Sequence, residues 1–222
     1  MNRQETVSLI EEVGIKPSVR VGDADSALFA AETVYEAGIP VVEITMTVPN
    51  AIQVIGQLTR NFPTFIVGAG TVLDVETAAR CLDAGARFIT SPGLIPDVLD
   101  YTLKEDLVSM PGALTPSEVI AAWRAGADFV KIFPCAEVGG EQYIRALKVP
   151  LPQVRLIASG GVNQLTAATF ILAGASCLGI GSELLPRKAL ATRQDQWIRE
   201  LARRYIEVIR TARHHLAGRD AD

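Results

Sequence analysis

Only three cysteines occur in the 222 residues, Cys81, Cys135 and Cys177, an odd number with no metal-ligand spacing. A disulfide framework is therefore not the organising principle, and the pattern suits a reducing, cytoplasmic setting. Histidine is scarcer still: His214 and His215 adjoin one another in a polar C-terminal stretch, where a solvated helix end accounts for them. Without a His/Asp/Glu ligand cluster, no metal and no other cofactor is expected. No apolar run reaches membrane-spanning length, and the opening MNRQETVSLIEEVG is polar and amphipathic, unlike a signal peptide. The net charge of −4 gives no general attraction to nucleic acid or to an anionic membrane, so an anionic ligand needs a local site. No G-x-G-x-x-G follows the first strand candidate, which runs instead into Gly22-Asp23-Ala24-Asp25.

What is present is a regular alternation of short apolar runs with amphipathic helices. Strands are predicted over residues 18–21, 41–45, 65–68, 87–90, 107–110, 128–133, 154–158 and 177–180, with helices such as 25–37, 50–61, 75–84 and 116–125 between them. Four helices close on the same signal: Ala37-Gly38-Ile39, Ala84-Gly85-Ala86, Ala125-Gly126-Ala127 and Ala173-Gly174-Ala175. In each, glycine can take the left-handed position that ends a helix before the chain enters the next strand. Eight such units imply parallel strands and an α/β fold, a (β/α)8 TIM barrel with an extra N-terminal helix. We expect one domain over residues 1–222, with 1–15 as a helix closing the bottom and 191–222 as the last helix and tail.

Three charged residues each stand between aliphatic ones in strand-like runs: Val19-Arg20-Val21, Val42-Glu43-Ile44 and Val130-Lys131-Ile132. Side chains alternate along a strand, so each charge should point away from its aliphatic neighbours and into the barrel. There an isolated charge is costly and must be paired or shifted in pKa. Lys131, with Phe129 and Phe133 on its own face, is the candidate nucleophile, because desolvation frees the amine to attack a carbonyl. Glu43 is the candidate acid/base. A Glu43–Lys131 ion pair serving structure alone is the competing reading. Arg20 offers a planar fork for a carboxylate or phosphate. Ser159-Gly160-Gly161 and Gly181-Ser182 follow strands seven and eight, where backbone N–H groups commonly hold phosphate.

In order along the chain stand V-E-I-T-M-T-V-P, V-G-A-G-T-V-L, F-I-T-S-P-G, M-P-G-A-L-T-P-S-E, F-V-K-I-F-P, S-G-G-V and G-I-G-S. With these the sequence resembles the 2-keto-3-deoxy-6-phosphogluconate (KDPG) and 4-hydroxy-2-oxoglutarate aldolases over roughly residues 19–185. The resemblance implies a metal-free class I aldolase that acts on a small 2-keto acid and assembles as a homotrimer. Lys131 would form the imine and Glu43 would move protons during dehydration, cleavage and enamine protonation. Arg20 and Thr71 would hold the pyruvyl carboxylate, and Pro92 and Phe133 would wall the imine. Gly160, Gly161 and Ser182 would cradle a distal phosphate, with Ser159 and Gly181 beside them.

Two departures bear on substrate choice. Ser159 stands where many members of that family have threonine, and Thr47 where some carry arginine, which puts more of the carboxylate binding on Arg20. A phosphosugar isomerase or epimerase, or a non-catalytic barrel binding a phosphorylated metabolite, is the alternative to aldol cleavage.

Overall fold

The helix ends set the register of the whole chain. In the computed structural model, which describes residues 1–219, Gly38, Gly85, Gly126 and Gly174 all have φ between +95° and +102°. In each case the glycine N–H and the following N–H turn back onto the last helical turn, as Gly38 N–H does to Tyr35 O at 2.9 Å and Ile39 N–H to Val34 O at 3.0 Å. Helix starts are equally explicit: Asp23, Asp74 and Thr115 accept from the N–H three residues on.

These caps bracket nine strands and ten α-helices among the described residues. The strands are β1 (Ile15–Val19), β2 (Val41–Thr45), β3 (Ile66–Gly70), β4 (Phe88–Thr90), β5 (Val108–Met110), β6 (Gly112–Ala113), β7 (Val130–Ile132), β8 (Leu156–Ser159) and β9 (Cys177–Ile180). The helices used below are α1 (Arg3–Val13), which precedes the first strand, α9 (Arg187–Ala191) and α10 (Asp195–Arg219). All strand pairs are parallel, in the order β5-β4-β3-β2-β1-β9-β8-β7-β6. The two ends of that order are consecutive pieces of chain separated only by Pro111, which has no N–H to give a ladder. They form one interrupted strand, and the sheet thereby rolls up into a (β/α)8 barrel with an added N-terminal helix.

Alternation along the strands separates two cores. Val42 and Ile44 face the helices, whereas Val41 faces the barrel interior with Ile66, Phe88, Met110, Phe129, Ile157 and Cys177. Val7 and Ile10 of α1 join that interior cluster and close the barrel at the N-terminal end of its strands. The interior at this level is thus a dry apolar floor. At the same end, Arg213 of α10 donates to Glu11 O and to Ser176 O, at 2.5 and 3.0 Å.

Two sequence expectations shift. The first strand is not 18–21 but Ile15–Val19: Pro17 reads as a strand breaker, yet here it lies in register beside Ile180. Arg20 therefore falls beyond the strand end and is exposed, not turned into the barrel by strand alternation. The last helix begins at Asp195, after the separate short helix α9, and the expected tail beyond residue 219 lies outside the described residues.

Glycine at 112 is dictated by space. A Cβ there would stand 2.2 Å from the Pro92 carbonyl oxygen, a backbone atom that cannot swing aside. Gly112→Ala should destabilise the fold by about 1–3 kcal/mol. Urea unfolding at constant pH measures this, and an unchanged midpoint would show that the Pro92 loop yields freely.

Candidate active site

Above the apolar floor the inward positions become polar. From β1 come Lys16 and Ser18, from β2 Glu43, from β4 Thr90, from β7 Lys131 and from β8 Ser159. Lys16 is 0% exposed, Glu43 1% and Lys131 5%, so all three charged groups are removed from bulk water. Such groups require partners. Lys16 Nζ donates to Glu43 Oε2 in a fully buried ion pair. It also lies 3.4 Å from Ser18 Oγ and 5.9 Å from the centre of the Phe88 ring. Lys131 Nζ stands 4.9 Å from the centre of the Phe133 ring and, among the described residues, forms no ion pair. The ion pair that the competing reading gave to Glu43 and Lys131 is thus taken by Lys16, a lysine that the sequence reading passed over.

Room for this arrangement is made by missing side chains. A Cβ on Gly70 would come 2.4 Å from the Glu43 carboxyl carbon, and one on Gly68 would meet the Phe88 ring at 2.3 Å. Both glycines face inward on β3, next to β2 and β4.

The electrostatics follow from burial and charge. Burial alone would raise the Glu43 carboxyl, but the ammonium groups of Lys16 and then Lys131, with hydrogen bonds from Lys16 and Thr90, hold it at about 2. Burial lowers the Lys131 ammonium from 10.5 to about 8, and the positive charges of Lys16 and Arg20 push the same way against Glu43. The Cys135 thiol is buried and pushed up to about 12, so it offers no thiolate at neutral pH.

Lys131 and Glu43 open onto a cavity of about 300 Å³ at the C-terminal ends of the strands. Arg20, Phe133, Ser159, Gly160, Gly161, Gly181 and Ser182 also line it, so nine of the expected site residues come together. Gly160 and Gly161 have φ of +88° and +79°, and a Cβ on Gly161 would fall 2.1 Å from that of Ala136. Only glycine fits this double turn. Thr71 and Pro92 follow β3 and β4 at the same end of the barrel but do not line this cavity. Thr71 is nevertheless held at φ +59°, a conformation a β-branched residue rarely adopts. Arg187, at the start of α9, lines the cavity and is exposed; like Lys16, it was not anticipated. Among the described residues no three His, Cys, Asp or Glu side chains are drawn together, and no helix is long and apolar enough to cross a membrane.

A buried amine facing an open cavity at this end of a barrel, beside a carboxylate, is equipped for carbonyl chemistry. Comparison with known proteins agrees. The family model for "KDPG and KHG aldolase" matches residues 7–201. The chain belongs to this aldolase family. It is 31% identical over 211 residues to the 2-dehydro-3-deoxy-phosphogluconate aldolase of Pseudomonas aeruginosa, covering 94% of both chains. It is 31% identical over 201 residues to the KHG/KDPG aldolase of Escherichia coli K12, covering 90% of this chain and 94% of that one. The solved structure of KDPG aldolase from Legionella pneumophila, with pyruvate captured at low pH as a covalent carbinolamine, superposes with a TM-score of 0.82 at 30% identity. That match covers 88% of this chain and 95% of the other. Membership in the family supports an aldolase activity, and with it a place among the lyases.

The displaced lysine has a thermodynamic signature. Lys131 falls from 10.5 to about 8 on folding, so between those values the unfolded chain binds more protons and stability rises with pH. Below about pH 8 the whole cost is present, about 3 kcal/mol from a shift of this size. Lys131→Met leaves the Lys16–Glu43 pair intact and should raise unfolding free energy at pH 7 by roughly 2–3 kcal/mol. The gain should shrink as pH rises toward 10.5. Urea unfolding across pH 6–10 checks it, and a variant no more stable than the parent at pH 7 would contradict the shift.

Proposed function

We propose that this chain is a class I aldolase, carried by one barrel domain, that cleaves KDPG or a related 2-keto-3-deoxy sugar acid or 4-hydroxy-2-oxoglutarate. The products would be pyruvate and an aldehyde such as glyceraldehyde 3-phosphate or glyoxylate. The observation that carries this is the buried Lys131 amine, lowered to about 8 and open to a cavity with cationic groups at its mouth. The Legionella relative, which holds pyruvate as a covalent carbinolamine, supports the same chemistry.

In this reading the neutral Lys131 Nζ attacks the C2 carbonyl carbon, and the carbinolamine that forms loses water to give a protonated imine. A proton leaves the C4 hydroxyl, the C3–C4 bond breaks, and its electron pair passes into the imine to give an enamine. The aldehyde departs, C3 takes up a proton, and water releases pyruvate and the amine. Because the imine is the electron sink, no metal is required. Glu43 enters the cycle as a carboxylate, the form that stabilises the iminium charge and can accept a proton. Phe133 supplies an apolar wall. Arg20 would hold the pyruvyl carboxylate, with Thr71 supporting that end and Pro92 backing the imine through the surrounding loops. Gly160, Gly161, Gly181 and Ser182, with Ser159 beside them, would receive the distal anion, and Arg187 adds a second guanidinium there.

Incubation with pyruvate and sodium borohydride, followed by peptide mapping, tests the reading. A pyruvyl adduct on Lys131 is expected, forming faster as pH rises through about 8 because the neutral amine is the reactive form. Lys131→Met should lose the adduct and at least about a thousandfold in turnover. Glu43→Gln should lower turnover by about 10²–10⁴ with ligand binding largely kept. A folded protein that gives no adduct would instead favour an isomerase, an epimerase or a binding barrel. We further propose a cytoplasmic homotrimer serving the Entner–Doudoroff type of sugar-acid breakdown. Light scattering of the purified protein reports the assembly, and a monomer would remove the trimer.

A further inference from the structure

Inside the barrel three ionisable side chains share one negative charge. Lys16 and Glu43 project from β1 and β2, hydrogen-bonded neighbours in which Ser18 stands opposite Glu43. Both side chains are almost wholly buried, and of the two Glu43 borders the cavity while Lys16 does not. Lys131 comes from β7, whose neighbours are β6 and β8, and reaches the same interior from another part of the ring. Lys16 faces Glu43, the Ser18 hydroxyl, the Phe88 ring and the Cys177 thiol. Glu43 faces Lys16, Lys131 and Thr90. Lys131 faces Glu43, Lys16 and, toward the mouth, Arg20.

The charge count decides what Lys131 can be. With Lys16 protonated and paired, Glu43 is already neutralised, and a protonated Lys131 would leave a net positive charge in a poorly solvated interior. A neutral Lys131 leaves none. If Lys16 were an apolar residue, Glu43 and a protonated Lys131 would instead form a neutral buried pair, and the amine would be held in its unreactive form.

We propose that Lys16 is a positioning residue of this site: by occupying the Glu43 carboxylate it keeps Lys131 from being consumed as an ion-pair partner and leaves it as a free amine facing the cavity. The proposal rests on Lys131 being the imine-forming lysine. It assigns a catalytic consequence to a side chain that reaches no substrate. A lysine that merely filled the barrel floor would leave the behaviour of Lys131 unchanged when replaced.

The test reads the proton affinity of Lys131 without using the aldol reaction. The full chain is labelled with a trace of acetic anhydride between pH 6 and 11, and the Lys131 peptide is quantified by mass spectrometry. This is done for the parent, for Lys16→Met and for the double variant Lys16→Met with Glu43→Gln. In Lys16→Met the labelling midpoint should rise by at least about one pH unit, with about tenfold slower labelling at pH 7. In the double variant, which has neither charge of the Lys16–Glu43 pair, the midpoint should return toward the parent value. Glu43→Gln alone gives an arm independent of how Lys16→Met folds: two lysines without a counter-charge should move the midpoint below that of the parent. An unchanged midpoint in folded Lys16→Met, or a double variant that behaves like Lys16→Met, overturns the proposal. Pyruvate trapping is run on the same samples. A parent protein that shows the expected labelling series but traps no pyruvate would sink the imine reading and leave the control of Lys131 by Lys16 standing.

Discussion

A carboxylate buried between two lysines is the constraint around which this barrel is built. Glu43 is 1% exposed and can persist as an anion only because Lys16 meets it directly and Lys131 lies beyond. Everything around it serves that condition. Gly70 leaves the space the carboxyl occupies, and Phe88, Met110, Phe129 and Ile157 form a floor too apolar to solvate it from below. Removing Glu43 leaves the buried Lys16 charge unanswered, removing Lys16 leaves Lys131 as the counter-charge of the carboxylate, and Lys131 itself can shed its proton and remain. That asymmetry separates a lysine held in an ion pair from one whose proton affinity is lowered within the same interior.

Much of this architecture could be read from the chain. The four Ala-Gly helix ends, the parallel strands and the inward direction of Glu43 and Lys131 all follow from local rules, and the folded protein obeys them. The failures have local causes too. Pro17 disguised the start of β1, so the strand was begun at residue 18: Lys16 fell outside it and was overlooked, and Arg20 was placed within it although it lies just past its end. Counted from Ile15, the same rule puts Lys16 and Ser18 inward. The interruption at Pro111 was invisible because the expected strand stopped at residue 110, just short of it. Arg187 carries no motif. Only the path from β9 through Pro186 into α9 brings it to the cavity. Thr71 and Pro92 entered through family likeness, and neither lines the cavity in this structure.

The pattern of small residues has one physical theme. Gly68 and Gly70 empty one wall of the barrel so that Phe88 and Glu43 can cross it, while Gly160 and Gly161 bring backbone close to the mouth of the cavity. The missing volume in the interior is thus used to admit large and charged groups from neighbouring strands. In the rim it lets main chain line the cavity. Sequence spacing shows that glycines recur, but not which neighbour each makes room for.

The interruption at Pro111 opens the ring at one seam only, because β1 stays paired with β9 and the ladder runs unbroken from β5 through β1 and β9 to β6. Lys16 and Glu43 lie on adjoining strands fastened by the parallel β1–β2 ladder, while Lys131, Ser159 and the Gly160–Gly161 turn come from β7 and β8, which reach β1 through β9. The separation between the carboxylate and the Lys131 amine is therefore set by an unbroken run of hydrogen-bonded strands, β2-β1-β9-β8-β7. Counter-ion and amine are thus held by one continuous frame, and the open seam lies on the far side of the ring from the ladder that joins them.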